Sequence, residues 1–203
     1  MTTYGMVIDR KRCVGCNACT IACKVAHGLG PDLYYSHVQI SEHGEYPKAR
    51  LTVQPSLCNH CENAACVDVC PVGATMKRED GIVTIDESKC LGCRYCMIAC
   101  PYNVRVFIDK SAAENSYYGA EGPTAWEDAT YKRHQAGTVE KCDFCTSRLD
   151  EGKEPACVHT CPAKARVFGD LDDPESDVYA LIHQNHATTL LPEAGTKPQV
   201  YYL

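Results

Sequence analysis

Sixteen cysteines constrain this chain more than any other feature, because they fall into four groups of four with none left over. Cys13, Cys16, Cys19 and Cys23 are spaced C-x2-C-x2-C-x3-C, and Cys90, Cys93, Cys96 and Cys100 repeat that spacing. Cys58, Cys61, Cys66 and Cys70 read C-x2-C-x4-C-x3-C. Cys142, Cys145, Cys157 and Cys161 read C-x2-C-x11-C-x3-C. The groups alternate as an internal repeat. Ile-Asp precedes both the first and the third, and each of those ends in Ile-Ala-Cys. Ala65–Ala74 in the second group matches Ala156–Ala165 in the fourth.

Sixteen cysteines in 203 residues would suit a disulfide scaffold. Such scaffolds belong to exported chains. Here Arg10-Lys11-Arg12 runs straight into Cys13 with no apolar stretch, so no secretory or twin-arginine signal is read and reduced, metal-binding thiols are expected. No apolar run nears the ~20 residues that cross a bilayer. The formal charge of −6 argues against a nucleic-acid partner. Aromatic residues are few, so a bound metal is expected to supply much of the folding free energy.

The spacing indicates which metal. A C-x2-C-x2-C loop curls around a small body, presenting three thiolates while its N–H groups face the negative sulfides of a cubane cluster. The next cysteine lies one helical turn on and faces elsewhere. In bacterial two-cluster ferredoxins that last cysteine, followed by proline, ligates the other cluster. Proline follows Cys70, Cys100 and Cys161, whereas Lys24 follows Cys23. The second and third groups resemble one contiguous ferredoxin, with two short strands expected around Asp80-Gly81. The first and fourth must then pair, helped by strands at 4–8 and 165–168. Four [4Fe–4S] clusters follow, with crossed ligation: cluster 1 on Cys13, Cys16, Cys19 and Cys161; cluster 2 on Cys142, Cys145, Cys157 and Cys23; cluster 3 on Cys58, Cys61, Cys66 and Cys100; cluster 4 on Cys90, Cys93, Cys96 and Cys70.

The expected fold class is α+β, with two ferredoxin-like two-cluster modules and loop-rich inserts. Residues 1–54 plus 109–169 form the outer module, 55–108 the inner module, and 170–203 a C-terminal helix and extended tail. Residues 24–57, with His27, His37 and His43, and the longer 109–141, with Trp126, read as loop-rich inserts, of a length that implies function or a partner. Asp173-Pro174 reads as a helix start, followed by an apolar stripe at Val178, Leu181 and Ile182.

Rival readings are weaker. Structural zinc uses paired knuckles, and the fourth group alone would pass; triplets at every third residue would not. Six C-x2-C pairs are a poor match to thioredoxin-like chemistry. His60 and His159, inside the second and fourth groups, read as hydrogen-bond donors near a cluster. His183 and His186 read as surface residues. No nucleotide fingerprint, nucleophile elbow or catalytic carboxylate pair is present, so no catalytic residue is assigned.

Over residues 4–169 the pattern resembles the four-cluster iron–sulfur subunit of dimethyl sulfoxide reductase-type molybdopterin enzymes. The resemblance is carried by Ile8-Asp9 before Cys13-Val-Gly-Cys16, Leu57-Cys-Asn-His-Cys61, Cys70-Pro71, Lys77-Arg-Glu-Asp-Gly81, Cys90-Leu-Gly-Cys-Arg-Tyr-Cys96, Ala99-Cys-Pro-Tyr102 and Lys141-Cys-Asp-Phe-Cys145. It implies the same crossed ligation and an electron-transfer role. The catalytic partner would be a large subunit holding molybdopterin guanine dinucleotide with Mo or W. A quinone-reactive membrane anchor would be a further partner. The expected location is cytoplasmic or peripheral at the membrane, with export only alongside a signal-bearing partner. Sulfoxide, arsenate, polysulfide or tetrathionate, and hydroxylated aromatics such as pyrogallol or catechol are the substrate classes it leaves open, with the 109–141 insert and the tail closer to the arsenate and pyrogallol or catechol branches. The alternatives are a free-standing polyferredoxin and a zinc-stabilised interaction module.

Overall fold

The structure, a computed structural model, describes residues 2–119, 122–131 and 134–203. In chain order its elements are β1 (Tyr4–Ile8), α1 (Ala18–His27), β2 (Ser36–His43), β3 (Arg50–Leu57), α2 (Ala65–Asp68), β4 (Thr75–Lys77), β5 (Val83–Ile85), α3 (Tyr95–Ile98), β6 (Arg105–Ile108), α4 (Lys110–Glu114), α5 (Ala125–Tyr131), β7 (Thr138–Lys141), α6 (Thr146–Leu149), α7 (Ala156–His159), β8 (Arg166–Asp170), α8 (Asp177–Asn185), β9 (Thr188–Thr189) and β10 (Val200–Tyr202). Helices and short antiparallel strand pairs are mixed along the chain, as an α+β fold requires.

Strand β1 is the centre of a sheet ordered β8-β1-β10-β9. It runs antiparallel to β8, from Tyr4↔Asp170 to Ile8↔Arg166, which joins the segment before the first cysteine group to the one after the fourth. Met6, Val7 and Ile8 are all buried, so β1 reads as an unbroken apolar run with both faces covered. The expected hairpin around Asp80-Gly81 is also present, with β4 antiparallel to β5 from Thr75↔Ile85 to Lys77↔Val83.

Segment 24–57 is not the loop-rich insert expected. Strands β2 and β3 form a hairpin paired through eight positions, from Ser36↔Leu57 to His43↔Arg50. Its signal was the alternation of Val38 and Ile40 against Leu51, Val53, Pro55 and Leu57. The missing proline after Cys23 also has a structural result. Without it α1 runs on to His27, whereas α3, at the matching place before Cys100-Pro101, stops after one turn. Lys24 is buried in that extension, where its Nζ donates to the carbonyls of Gly30 (2.7 Å), Pro31 (3.0 Å) and Leu33 (2.8 Å). Gly28 closes α1 at φ +68°, where an added Cβ would stand 2.5 Å from Thr130 Cβ of α5. Only glycine fits both demands.

Three further expectations are corrected. The 109–141 insert contains α4, α5 and β7, and β7 pairs antiparallel with β6 (Arg105↔Lys141 to Ile108↔Thr138). Of that insert, residues 120–121 and 132–133 lie outside the described residues. Asp173-Pro174 makes a turn rather than a helix start. Ser176 is the cap of α8, with its Oγ accepting from the Tyr179 N–H at 3.1 Å. Val178, the first member of the stripe, is fully buried and packs beneath Gly169. The tail is not simply extended, since β10 lies parallel to β1 and completes the central sheet.

Candidate metal centres

The C-x-G-C-x-x-C runs of the first and third groups adopt the same backbone. Gly15 and Gly92 have φ of 68° and 65°, and Asn17 and Arg94, two residues on, have 59° and 63°. These left-handed residues turn successive N–H groups inward, the concave arrangement that receives anions. At Gly92 a Cβ would meet the Gly137 carbonyl oxygen at 2.1 Å, so α3 and its loop can sit against β7 only with glycine there.

Each predicted set of four cysteines converges, although every set draws on two groups. Cys13, Cys16, Cys19 and Cys161 line one cavity. Cys58, Cys61, Cys66 and Cys100 line a second. Cys70, Cys90, Cys93 and Cys96 line a third. The fourth set is the most buried: burial pushes the Cys142 thiol well up, and Cys23, Cys157 and Cys145 push it further. Burial likewise raises Cys145 to about 12, with Cys157 adding to it, and Cys61 to about 11, with Cys58, Cys66 and Cys100 adding to it.

The donor chemistry fits a cubane cluster in each set. Crowded, buried thiols stay protonated unless a cation replaces their protons, and four convergent thiolates are what a [4Fe–4S] core takes. Backbone N–H groups already point at sulfur: Thr75 at Cys70 Sγ (3.4 Å), Phe144 at Cys142 Sγ (3.4 Å) and Ala165 at Cys161 Sγ (3.3 Å). Asn59 Nδ2, Arg105 Nη2 and both terminal nitrogens of Arg166 are buried with no oxygen acceptor among the described residues, all three residues line cysteine cavities, and the two guanidiniums face the sulfurs of Cys66 and Cys157. Cluster sulfides are the acceptors such donors need.

The histidines divide by their surroundings. His60 is fully buried, but its Nδ1 accepts the Val83 N–H at 3.1 Å, and burial, reinforced by Lys141 and Arg105, holds the ring neutral. Only Nε2–H remains to donate, and it has no protein acceptor among the described residues. His159 is exposed at the end of α7, because it lies two residues beyond the inward-facing Cys157 and so on the opposite side of the helix. His183 and His186 are exposed as expected. The histidine missed from sequence is His27, whose Nε2 lies 3.2 Å from Cys145 Sγ and 3.7 Å from Asp143. It reaches that place because α1 runs on past Cys23. Arg105 and Arg166 were missed too, although each stands five residues after the last cysteine of its group.

The fold and these centres define the class: an iron–sulfur electron-transfer protein. A family model described as a 4Fe-4S dicluster domain matches residues 49–116 and 127–171, and a second of the same description matches residues 12–74. A Halobacterium salinarum protein named as a dimethyl sulfoxide reductase iron–sulfur subunit is 46% identical over all of this chain and 79% of its own length. The arsenate respiratory reductase iron–sulfur subunit of a Shewanella species is 40% identical over 98% of this chain and 95% of its own. A tetrathionate reductase subunit of Salmonella typhimurium is 38% identical over 98% and 72%. The chain belongs to this family of [4Fe–4S] electron-transfer subunits, and four [4Fe–4S] clusters account for its sixteen cysteines. Among the described residues no helix is long and apolar enough to cross a membrane.

Proposed function

We propose that this chain relays electrons, one at a time, along four crossed-ligated clusters between a molybdopterin-containing catalytic subunit and a second redox partner. Cluster 1 is held by Cys13, Cys16, Cys19 and Cys161, and cluster 2 by Cys142, Cys145, Cys157 and Cys23. Cluster 3 is held by Cys58, Cys61, Cys66 and Cys100, and cluster 4 by Cys90, Cys93, Cys96 and Cys70. Clusters 3 and 4 form the inner module (55–108), and clusters 1 and 2 the outer (1–54 plus 109–169). The observation that carries this reading is the convergence of cysteines from different groups in the four predicted sets.

Clusters 1 and 4 are the ends of the relay. Cys16 and Cys93, at matching places in the repeat, are the two exposed cysteines. Each is flanked by exposed apolar side chains at matching places: Val14 (69%) and Ile21 (58%) by cluster 1, Leu91 (69%) and Ile98 (82%) by cluster 4. Exposed apolar rims around a redox centre suit docking against partner subunits. One rim receives the large subunit carrying molybdopterin guanine dinucleotide with Mo or W, and the other a quinone-reactive membrane anchor or another carrier. Substrate chemistry takes place on the large subunit, and this chain contributes no acid–base group to it. The relatives' names favour an oxyanion or sulfoxide as the substrate of that partner.

An anaerobic pull-down of the tagged chain from its host, with metals quantified, tests this. About sixteen irons per chain with a stoichiometric molybdenum or tungsten protein is expected. Iron alone, without such a partner, would favour a free polyferredoxin. Zinc in place of iron would overturn the cluster reading.

A further inference from the structure

Each pair of cysteine cavities has one buried guanidinium in the same relation to it. Arg105 opens β6 five residues after Cys100, and Arg166 opens β8 five residues after Cys161. Both are 4% exposed. Arg105 lines the cavity of Cys58, Cys61, Cys66 and Cys100, and its charge also acts on Cys96 in the neighbouring set. Arg166 lines the cavity of Cys13, Cys16, Cys19 and Cys161, and its charge also acts on Cys157 in the neighbouring set. Each guanidinium therefore faces ligands of both members of one pair.

Neither has a conventional counter-ion. Among the described residues no carboxylate lies within ion-pair distance of Arg105 or Arg166. Arg105 Nη1 donates to Thr75 Oγ1 at 3.4 Å. Among the described residues Nη2 and both terminal nitrogens of Arg166 find no oxygen acceptor, and the guanidiniums face the sulfurs of Cys66 and Cys157 instead. A buried guanidinium with no carboxylate beside it is costly and stays charged at any accessible pH. Four thiolates on a cubane core carry net negative charge, so the cysteine-ligated clusters supply the missing anions.

We propose that Arg105 and Arg166 set the reduction potentials of the relay, Arg105 for clusters 3 and 4 together and Arg166 for clusters 1 and 2 together. The inference rests on the crossed ligation proposed above. A reduced cluster gains one electron and becomes more negative, so a fixed cation beside its ligands favours reduction and raises its potential. A cation facing ligands of two clusters raises the potential of both, so the second member of a pair is reduced at a higher potential than it would be without the cation. The relay can then hold electrons on both members of a pair, which suits delivery to a two-electron reaction.

The test is a redox titration of the intact complex followed by electron paramagnetic resonance. Arg105→Gln is expected to lower the midpoints of clusters 3 and 4 by at least tenfold in oxidised-to-reduced ratio at fixed potential, which is 59 mV for a one-electron couple. Clusters 1 and 2 keep theirs. Arg166→Gln should give the converse. Arg105→Lys retains the charge, should load iron fully and should move both midpoints by less than tenfold. That variant keeps the test open if the glutamine variant fails to load. Full iron content with unchanged midpoints in the glutamine variants, all four midpoints moving together, or a lysine variant shifted beyond tenfold would each overturn the inference. Wild-type protein with far fewer than about sixteen irons would instead sink the ligation reading beneath it.

Discussion

The rings of His60 and Phe144 stack with centroids 3.8 Å apart and planes 27° apart, each residue standing inside the C-x2-C of its own group. The second and fourth cysteine groups are thereby joined through a buried, neutral aromatic pair. Truncating Phe144 to alanine should cost about 3–5 kcal/mol. A double-mutant cycle with His60→Ala should return a coupling of about 0.5–1.5 kcal/mol beyond burial. Anaerobic denaturant unfolding of the loaded chain measures both, and additive single mutants would rule out a coupled stack.

The extension of α1 depends on Lys24. Lys24→Pro would give this group the Cys-Pro ending of the other three, but here it should cost about 3 kcal/mol or more, because it removes a helical hydrogen bond and the three carbonyls lose their donor. His27 would leave Cys145. Burial lowers the Lys24 ammonium to about 8 against the pull of Asp32 and Cys23. With the folded value depressed below the usual 10.5, the native state binds fewer protons than the unfolded one between those values. Stability from this group therefore rises with pH from about 8 to 10.5 and is flat below. Unfolding midpoints at pH 7, 8.5 and 10 for wild type and Lys24→Met measure it.

His27 should tune one cluster only. Its N–H is placed to donate to the Cys145 sulfur, which stabilises the reduced, more negative state. His27→Ala is expected to lower the midpoint of cluster 2 and leave the other three. A redox titration separates this from the paired shift expected for Arg166→Gln.

Glu140 is the hub of a buried polar group, accepting from the Tyr35 hydroxyl and paired with His134 Nδ1 at 2.8 Å. Although burial alone would lower it, the Glu140 carboxylate raises the His134 imidazole above its usual value, with the His27 and Gly28 carbonyls helping. The contribution of this pair is thus complete below pH 6.5 and is lost as pH rises through the elevated folded value. His134→Ala should flatten that slope in unfolding experiments near neutrality. Breaking the pair from the other side, with Glu140→Ala, should cost about 3–5 kcal/mol.

Cys93→Ser should remove or perturb one cluster and abolish turnover by the complex while leaving substrate binding to the catalytic subunit intact. Iron analysis, substrate-binding titration and steady-state rates report the three effects. Undiminished turnover would count heavily against a four-cluster relay.

The cysteine spacing, with the crossed pattern of two-cluster ferredoxins and the strands at 4–8 and 165–168, was sufficient to propose the four sets, because the geometry of a cubane leaves few ways to arrange its ligands. Strand β1 was legible as a short apolar run next to those ligands, and β4 and β5 as the two arms of the Asp80-Gly81 turn. The β2–β3 hairpin was legible in principle, since its alternation is present, but the three histidines and the polar residues at its tip masked it. His159 misled, because being between two cysteines in sequence says nothing about which side of a one-turn helix a side chain takes.

The sequence by itself determined the ligands, their number and their chemistry, since these depend on residue type and local spacing. Only the tertiary structure decided what surrounds them. His27 reaches Cys145 across 118 residues, Arg105 and Arg166 each line one cysteine cavity and act on a cysteine of the neighbouring set, and β10 docks beside β1 from the far end of the chain. Those relations depend on long-range packing, where burial and electrostatics act between segments that carry no mark of one another in the sequence.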